Sequence, residues 1–481
     1  MGPAARFRLH QGAGPGVSGY PVSGQRRPDA LEPFAREGIA HLTTQMQNLP
    51  DPPAPASGRE RWPAVFSEPR ARLRGLVAAR IIRHAVRGLP MRFRLPDGTV
   101  LGAGGPQDPE MVVHRPESLY RRIGAGGLIG FGESYQAGEW DSDDLAGLLA
   151  VFAAHVDTLV PAPLQQLRRL HVVRRPCTEN ETAGAAQANI ARHYDLSNEM
   201  FELFLDPTMT YSSALFETAA RRGLVLPDMS DGASGVQLLS HAQQRKIDRL
   251  LDLTGVGPGM RVLEIGSGWG ELATRAASRG AQVRTITLSE RQLQYTRQRA
   301  VRKGLADRVQ VELRDYRDTE GEYDAVLSVE MIEAVGREHW PTYFGALSKL
   351  VVPDGRIGLQ AITMPHHRMR ATARTQTWIT KYIFPGGLIP SMTAIRENAA
   401  RAGLQVLDDL SFGAHYAHTL GLWGERLLAN AGRLGALGFD ETFRRTWRLY
   451  LAYSEAGFAS GYLDVHQLVL GRDQVGAATA R

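Results

Sequence analysis

Apolar and polar positions alternate in three different ways along the chain. Residues 1–60 show no apolar period; Gly, Pro, Gln and Arg dominate, so a disordered N-terminal extension is expected. From 61 to 165 the periods are short and mixed. Ala71 to Arg87 repeats Leu73, Leu76, Val77, Ile81 and Ala85 at helical spacing among Arg72, Arg74, Arg80, Arg83 and Arg87. Such a helix suits either an anionic lipid surface or the core of its own domain. Met91 to Leu101 predicts a hairpin about Pro96-Asp97-Gly98, and short strands and helices follow from Val112 to Val160. This stretch is expected to be a small α+β domain, joined by a linker at 166–185.

From 186 to 475 the pattern becomes a regular alternation. A helix is predicted over Ala188–Leu205. Strands follow at Arg261–Ile265, Gln282–Leu288, Val309–Leu313, Tyr323–Val329 and Arg356–Ile362. Helices separate them: Glu271–Arg279, one capped by Ser289 and ending near Lys303, and Pro341–Leu350. Strand–helix alternation predicts an α/β, doubly wound, Rossmann-like sheet with ligands at the carboxyl ends of its strands. The first strand runs into Gly266-Ser-Gly-Trp-Gly270, where glycines let the backbone approach a ligand. A glycine loop alone does not choose between nucleotide cofactors. Glu264 in the strand and Trp269 in the loop favour S-adenosylmethionine (SAM) over a dinucleotide.

Composition narrows the setting. The formal charge is +6, carried almost wholly by arginine, which suits a polyanionic partner such as nucleic acid or an anionic membrane. One cysteine, Cys177, leaves no internal disulfide and no cysteine-based metal cluster. The longest apolar run, Leu145 to Val156, is too short to span a bilayer, and no secretory signal is recognised. A cytoplasmic protein, peripheral on the inner face of the membrane, is expected. His366-His367 resembles a metal pair but lacks an obvious third ligand, so no metal site is expected. A nucleic-acid methyltransferase is disfavoured because neither an Asn-Pro-Pro-Tyr type loop nor a stacked-aromatic RNA motif is present.

Several motifs together resemble the cyclopropane-fatty-acid synthase and mycolic-acid methyltransferase family. They are His193-Tyr-Asp-Leu-Ser-Asn198, Phe204-Leu-Asp-Pro-Thr-Met-Thr-Tyr-Ser212, Phe384-Pro-Gly-Gly387 and His415-Tyr-Ala-His-Thr-Leu-Gly-Leu-Trp423. The resemblance runs from about Leu89 to Gln467. Three further stretches look most like the methyltransferases of tuberculostearic-acid synthesis: Ser328-Val-Glu-Met-Ile-Glu-Ala-Val-Gly336, Gln360-Ala-Ile-Thr-Met-Pro-His-His367 and Tyr450-Leu-Ala-Tyr-Ser-Glu-Ala-Gly-Phe458. The resemblance implies SAM-dependent C-methylation of an oleoyl chain on a phospholipid, giving a 10-methylene branch that a flavin-dependent reductase then reduces. Cyclopropane formation is the alternative, and a lipid-binding scaffold without catalysis is a more distant one. A homo-oligomer is expected, with the N-terminal domain serving lipid docking or subunit contact.

Carried over by position, the SAM site comprises Tyr211 and Ser212, then Leu263, Glu264, Gly266, Ser267, Gly268, Trp269 and Gly270. Thr287, Leu288, Ser289 and Gln292 should meet the ribose and methionine parts, with Asp315 and Tyr316 at the adenine. His193 and Tyr194 should lie over the cofactor. The family removes its proton with a bound bicarbonate, and the five holders map to Ser213, Glu333, Gln360, Ile362 and Tyr416. Two depart from the usual types: Ser213 stands for cysteine and Gln360 for histidine, and Ala334 follows Glu333 where histidine is common. Both replacements still hydrogen-bond an anion. Glu333 is the carboxylate whose loss should harm turnover most, and Glu330 is its nearby rival. Trp378, Tyr382, Ile383 and Phe384 fit either a core or an acyl channel.

Overall fold

The computed structural model describes residues 57–155, 196–219, 223–224 and 232–473. Most of the extension, the whole linker, and His193 and Tyr194 lie outside them. In the N-terminal part, Asp97-Gly98 turns the chain between β1 (Arg92–Arg94) and β2 (Val100–Leu101), the expected hairpin. Strands β3 (Glu110–Val113) and β4 (Trp140–Asp141) complete a sheet of order β2-β1-β3-β4. Helix α1 (Arg72–Ala85) packs on α2 (Pro116–Gly126), followed by α3 (Leu128–Gln136) and α4 (Leu145–Ala154).

Helix α1 forms where the periodicity predicts it but buries a different face. Its buried positions are Gly75 and Ala78, while Leu73, Leu76 and Val77 are 79%, 69% and 57% exposed. The cause is close helix packing: a Cβ on Gly124 of α2 would stand 2.6 Å from the Arg74 backbone. Small residues allow that approach, and the larger apolar stripe turns outward. The long apolar run became α4, packed on α9 (Glu441–Ala459). No helix among the described residues is long and apolar enough to cross a membrane.

The larger sheet is built of seven strands in the order β12-β13-β11-β10-β7-β8-β9. Parallel β7 (Arg261–Ile265), β8 (Gln282–Thr287), β9 (Val309–Leu313), β10 (Tyr323–Val329) and β11 (Val351–Thr363) follow the predicted alternation. β12 (Leu404–Ser411) and β13 (Asp464–Arg472) close one edge as an antiparallel pair. A minor ladder, β5 (Thr218–Ala219) with β6 (Gly223–Leu224), lies in the loop before the sheet. β11 begins five residues before the expected Arg356. The register shifts between Tyr323 and Ala325 of β10, so Pro353-Asp354-Gly355 forms a bulge at the start of β11. Helices α5 (Gly232–Leu253), α6 (Glu271–Ser278) and α7 (Glu290–Arg302) cover the sheet.

Both parts share one core. Phe93, Met111 and Trp140 belong to the same buried cluster as Phe201, Tyr416 of helix α8 (Gly413–Ala429), and Trp447 of α9. Arg445 of α9 reaches the Trp140 carbonyl at 2.7 Å and Asp141 at 2.9 Å. Trp378 donates to Gln136 at 2.9 Å and Tyr382 to Glu133 at 2.7 Å. Trp378 and Ile383 are therefore core residues, and the first binds residues 378–382 to α3.

Candidate functional site

The strand order reverses between β7 and β10, and a cleft opens at their carboxyl ends. After β7 the chain turns through Gly266, whose φ is 93°, into the Ser267-Gly268-Trp269 loop. A Cβ on Gly266 would stand 2.7 Å from the Met331 sulfur, so only glycine fits. Gly268 instead borders open space, and Gly270 leads into α6. Trp269 packs on Phe201 at 4.7 Å and donates to Asn198 at 2.9 Å, binding the loop to the His-Tyr-Asp-Leu-Ser-Asn motif.

Of the predicted cofactor residues, Tyr211, Ser212, Glu264, Gly266, Ser267, Gly268, Trp269, Thr287, Leu288, Gln292 and Tyr316 line this cleft. Leu263 lies in the sheet core, and Ser289 caps α7 through the Gln292 amide. Asp315 is not among the cleft-lining residues; it accepts from the Arg317 backbone N–H at 2.9 Å and from its guanidinium at 2.6 Å. Arg314 and Tyr316 are the residues of that loop that reach the cleft. Gln292 accepts from Thr287 at 2.8 Å, which leaves its NH2 end for a ligand hydroxyl. The open space beside Gly268, the amide end of Gln292 and the carboxyl of Glu264 fit a SAM-sized polar ligand.

Lys246 is a residue the motifs do not point to. It is buried in α5 and donates to Ser212 Oγ at 2.6 Å. Burial pushes its ammonium down to about 8, opposed by the charges of Glu330, Asp206 and Glu264. Its one sequence signal is position: it interrupts the apolar stripe of Leu239, Ala242 and Leu250 on α5. Burial likewise pushes Glu264 up to about 8, although Thr285 donates to it at 2.6 Å.

Beside the cofactor cleft, donors from distant parts of the chain converge on one carboxylate. Ser213 N–H reaches Glu330 Oε1 at 3.0 Å and Gln360 Nε2 reaches the same oxygen at 2.9 Å. Tyr416 O–H reaches Oε2 at 2.7 Å. Burial and the neighbouring carboxylate keep the Tyr416 phenol protonated, so it remains a donor. Three of the five predicted anion holders thus meet at Glu330. Ile362 N–H instead donates to Glu333 Oε1 at 2.5 Å, and Glu333 Oε2 is buried without a partner. Burial, then repulsion from Glu330, pushes Glu333 up to about 8.

Among the described residues, the non-glycine positions with left-handed φ are Met209 (54°) and Glu330 (53°), and both line the cleft. Backbone strain of this kind persists where surrounding structure holds it. Here Glu330 N–H is fixed by the Gln360 carbonyl at 2.8 Å. His366 opens a short helix, and its ring pairs with Ser391 at 2.8 Å.

Residues 182–468 match the family described as mycolic acid cyclopropane synthetase. The chain is 52% identical over 425 residues to the tuberculostearic acid methyltransferase UfaA1 of Mycobacterium tuberculosis, covering 88% of this chain and 97% of that protein. It is 30% identical over 377 residues to the cyclopropane-fatty-acyl-phospholipid synthase of Escherichia coli, covering 78% and 90%. Among solved structures, the M. tuberculosis cyclopropane synthase MmaA2 superposes with TM-score 0.52 at 32% identity, over 60% of this chain and 98% of that one. The mycolic acid cyclopropane synthase CmaA1, complexed with S-adenosylhomocysteine, gives TM-score 0.52 at 33% identity, over 59% and 97%.

Proposed function

This chain belongs to the mycolic acid cyclopropane synthetase family and is a SAM-dependent methyltransferase, and we propose that it places a methylene branch on the double bond of unsaturated, oleoyl-type phospholipid chains. The observation carrying this reading is the 52% identity, over nearly the full length, to a tuberculostearic acid methyltransferase. The departures at Ser213 and Gln360 support it, because they alter the pocket in which ring closure and branching diverge.

Bound SAM supplies an electrophilic methyl group on a sulfonium. The chain's own task is to align an isolated alkene, a weak nucleophile, with that methyl in a dry site. Apolar and aromatic walls serve this: Tyr211 pairs with Tyr450 at 2.8 Å, and Phe384 packs on Tyr450 at 5.8 Å. The exocyclic methylene so formed is the substrate a flavin-dependent reductase would take next.

The same reading puts the protein on a membrane surface, and α1 is the element that suits it. Leu73, Leu76 and Val77 project outward with Arg80 between them; Arg72, Arg74 and Arg83 are exposed beside them, and the helix carries no acidic residue. Apolar side chains flanked by arginines match an anionic bilayer. Lipids from an oleate-rich host expressing the chain, fed methyl-labelled methionine, test the reaction. Label in an ozone-cleavable methylene supports it; label confined to an ozone-resistant ring indicates a cyclopropane synthase, and unlabelled lipid refutes both.

A further inference from the structure

We propose that Glu330 is the proton acceptor of this reaction, a carboxylate built into the chain at the seat where the family resemblance calls for bicarbonate. The assignment rests on the C-methylation reading and adds the residue that completes it. Its basis is the convergence of donors. Ser213 precedes α5, Gln360 lies in β11 and Tyr416 in α8, yet all three aim at the two oxygens of one side chain. A buried carboxylate with three donors is held in place and has its negative charge stabilised. With both oxygens engaged, a second anion in this seat would face Glu330 at short range in a medium that screens charge poorly.

Glu333 is the other candidate, and the hydrogen bonds separate the two. It receives one backbone donor and has an orphaned oxygen, whereas Glu330 receives three donors. Two adjacent buried carboxylates do not both ionise comfortably, so the better-solvated one keeps the charge and the other the proton. Lys246 favours the charge on Glu330, as does the Ser213 amide. Burial raises the Glu330 carboxyl above its ordinary range, which makes its ionised form a stronger base. The left-handed backbone at Glu330 fits the same role: a glycine would sit there without strain, but only a side chain supplies the carboxylate.

The chemical step balances without another reactant. The alkene π pair forms the new C–C bond to the methyl carbon, and the C–S pair stays on sulfur as S-adenosylhomocysteine leaves. Positive charge passes to the acyl chain and, after hydride migration, rests on the methylated carbon. Glu330 takes one proton from the added methyl. The C–H pair becomes the exocyclic double bond, and the resulting carboxylic acid returns its proton to water when product leaves. Until then the carboxylate also faces the carbocation as a counter-charge.

The test compares full-length enzyme acting on dioleoyl phosphatidylglycerol vesicles in buffer stripped of carbon dioxide and in buffer with added bicarbonate. Wild-type rates should agree within about twofold. Glu330→Gln and Glu330→Gly should lose about 100-fold or more in kcat, the usual worth of a general base. Their SAM affinity, read from tryptophan fluorescence, should stay within about threefold, which excludes misfolding as the cause. Formate or bicarbonate should restore the Gly variant at least about tenfold, by occupying the vacated seat. A wild-type rate that collapses without bicarbonate would overturn the assignment while leaving the methylation reading intact. So would a Gln variant of near wild-type kcat, or a SAM-binding Gly variant that no small carboxylate rescues. Absence of lipid methylation by wild type in either buffer would remove the underlying reading, and this assignment with it.

Discussion

Replacing Leu73 and Leu76 of α1 together by serine should abolish most membrane binding without harming the fold. Both side chains are largely exposed, at 79% and 69%, so their removal leaves no cavity. Fully burying a leucine is worth about 1.5–3 kcal/mol, and roughly three quarters of each surface remains to be buried. The pair therefore carries about 3 kcal/mol of membrane affinity, which at about 1.4 kcal/mol per decade is about 100-fold in partitioning. Each arginine near an anionic surface adds about 1 kcal/mol, so affinity should also fall when salt rises. Co-sedimentation with phosphatidylglycerol-containing vesicles measures the first quantity, and a thermal melt reports the fold. Serine on an exposed helix face costs about half a kcal/mol at most, so the melting temperature should barely move. Partitioning unchanged within about threefold would refute the docking face. A large fall in melting temperature would mean instead that this stripe packs on protein.

Three further outcomes follow from other parts of the structure. Glu333 titrates at about 8 in the fold against an ordinary 4.5, so between those values the folded chain holds a proton that the unfolded chain has lost. Stability should fall as pH rises through that window, by up to a few kcal/mol; Glu333→Gln should flatten the slope in urea titrations at stepped pH, and an unchanged slope would refute the argument. Gly266→Ala meets the Met331 sulfur at 2.7 Å at a φ of 93°, and should weaken SAM binding at least about tenfold by calorimetry. Wild-type affinity would show that the loop tolerates a side chain. Arg122 is buried between Glu139 at 2.8 Å and the Val65 carbonyl at 2.7 Å, so Arg122→Met leaves a stranded carboxyl. It should destabilise by about 3–5 kcal/mol, visible as a lower urea midpoint; no shift would mean the pair is dispensable.

The strands and the glycine loop are legible because local pattern decides them: apolar runs end at Gly266 and Ser289, where the backbone must turn. The face of α1 is not, because side-chain size, rather than hydrophobicity, lets Gly75 and Gly124 bring two helices together. The cofactor cleft follows from motifs that are contiguous in sequence. The carboxylate seat does not, since its donors at Ser213, Gln360 and Tyr416 meet only in three dimensions. Along the chain the family motifs favour Glu333 over Glu330; the left-handed φ and the count of donors single out Glu330. The Arg317 guanidinium bond to Asp315 is a local pairing two residues apart that the family motifs do not point to.

The most direct test of the whole account is the fate of the alkene hydrogens. Purified enzyme and SAM would be given a phospholipid whose oleoyl chain carries deuterium on both alkene carbons, with the product read by NMR before and after ozonolysis. Methylation, hydride migration and proton loss from the methyl predict an exocyclic methylene, cleaved to a ketone, beside a carbon holding both deuteriums. An ozone-resistant ring with one deuterium on each former alkene carbon would contradict the account.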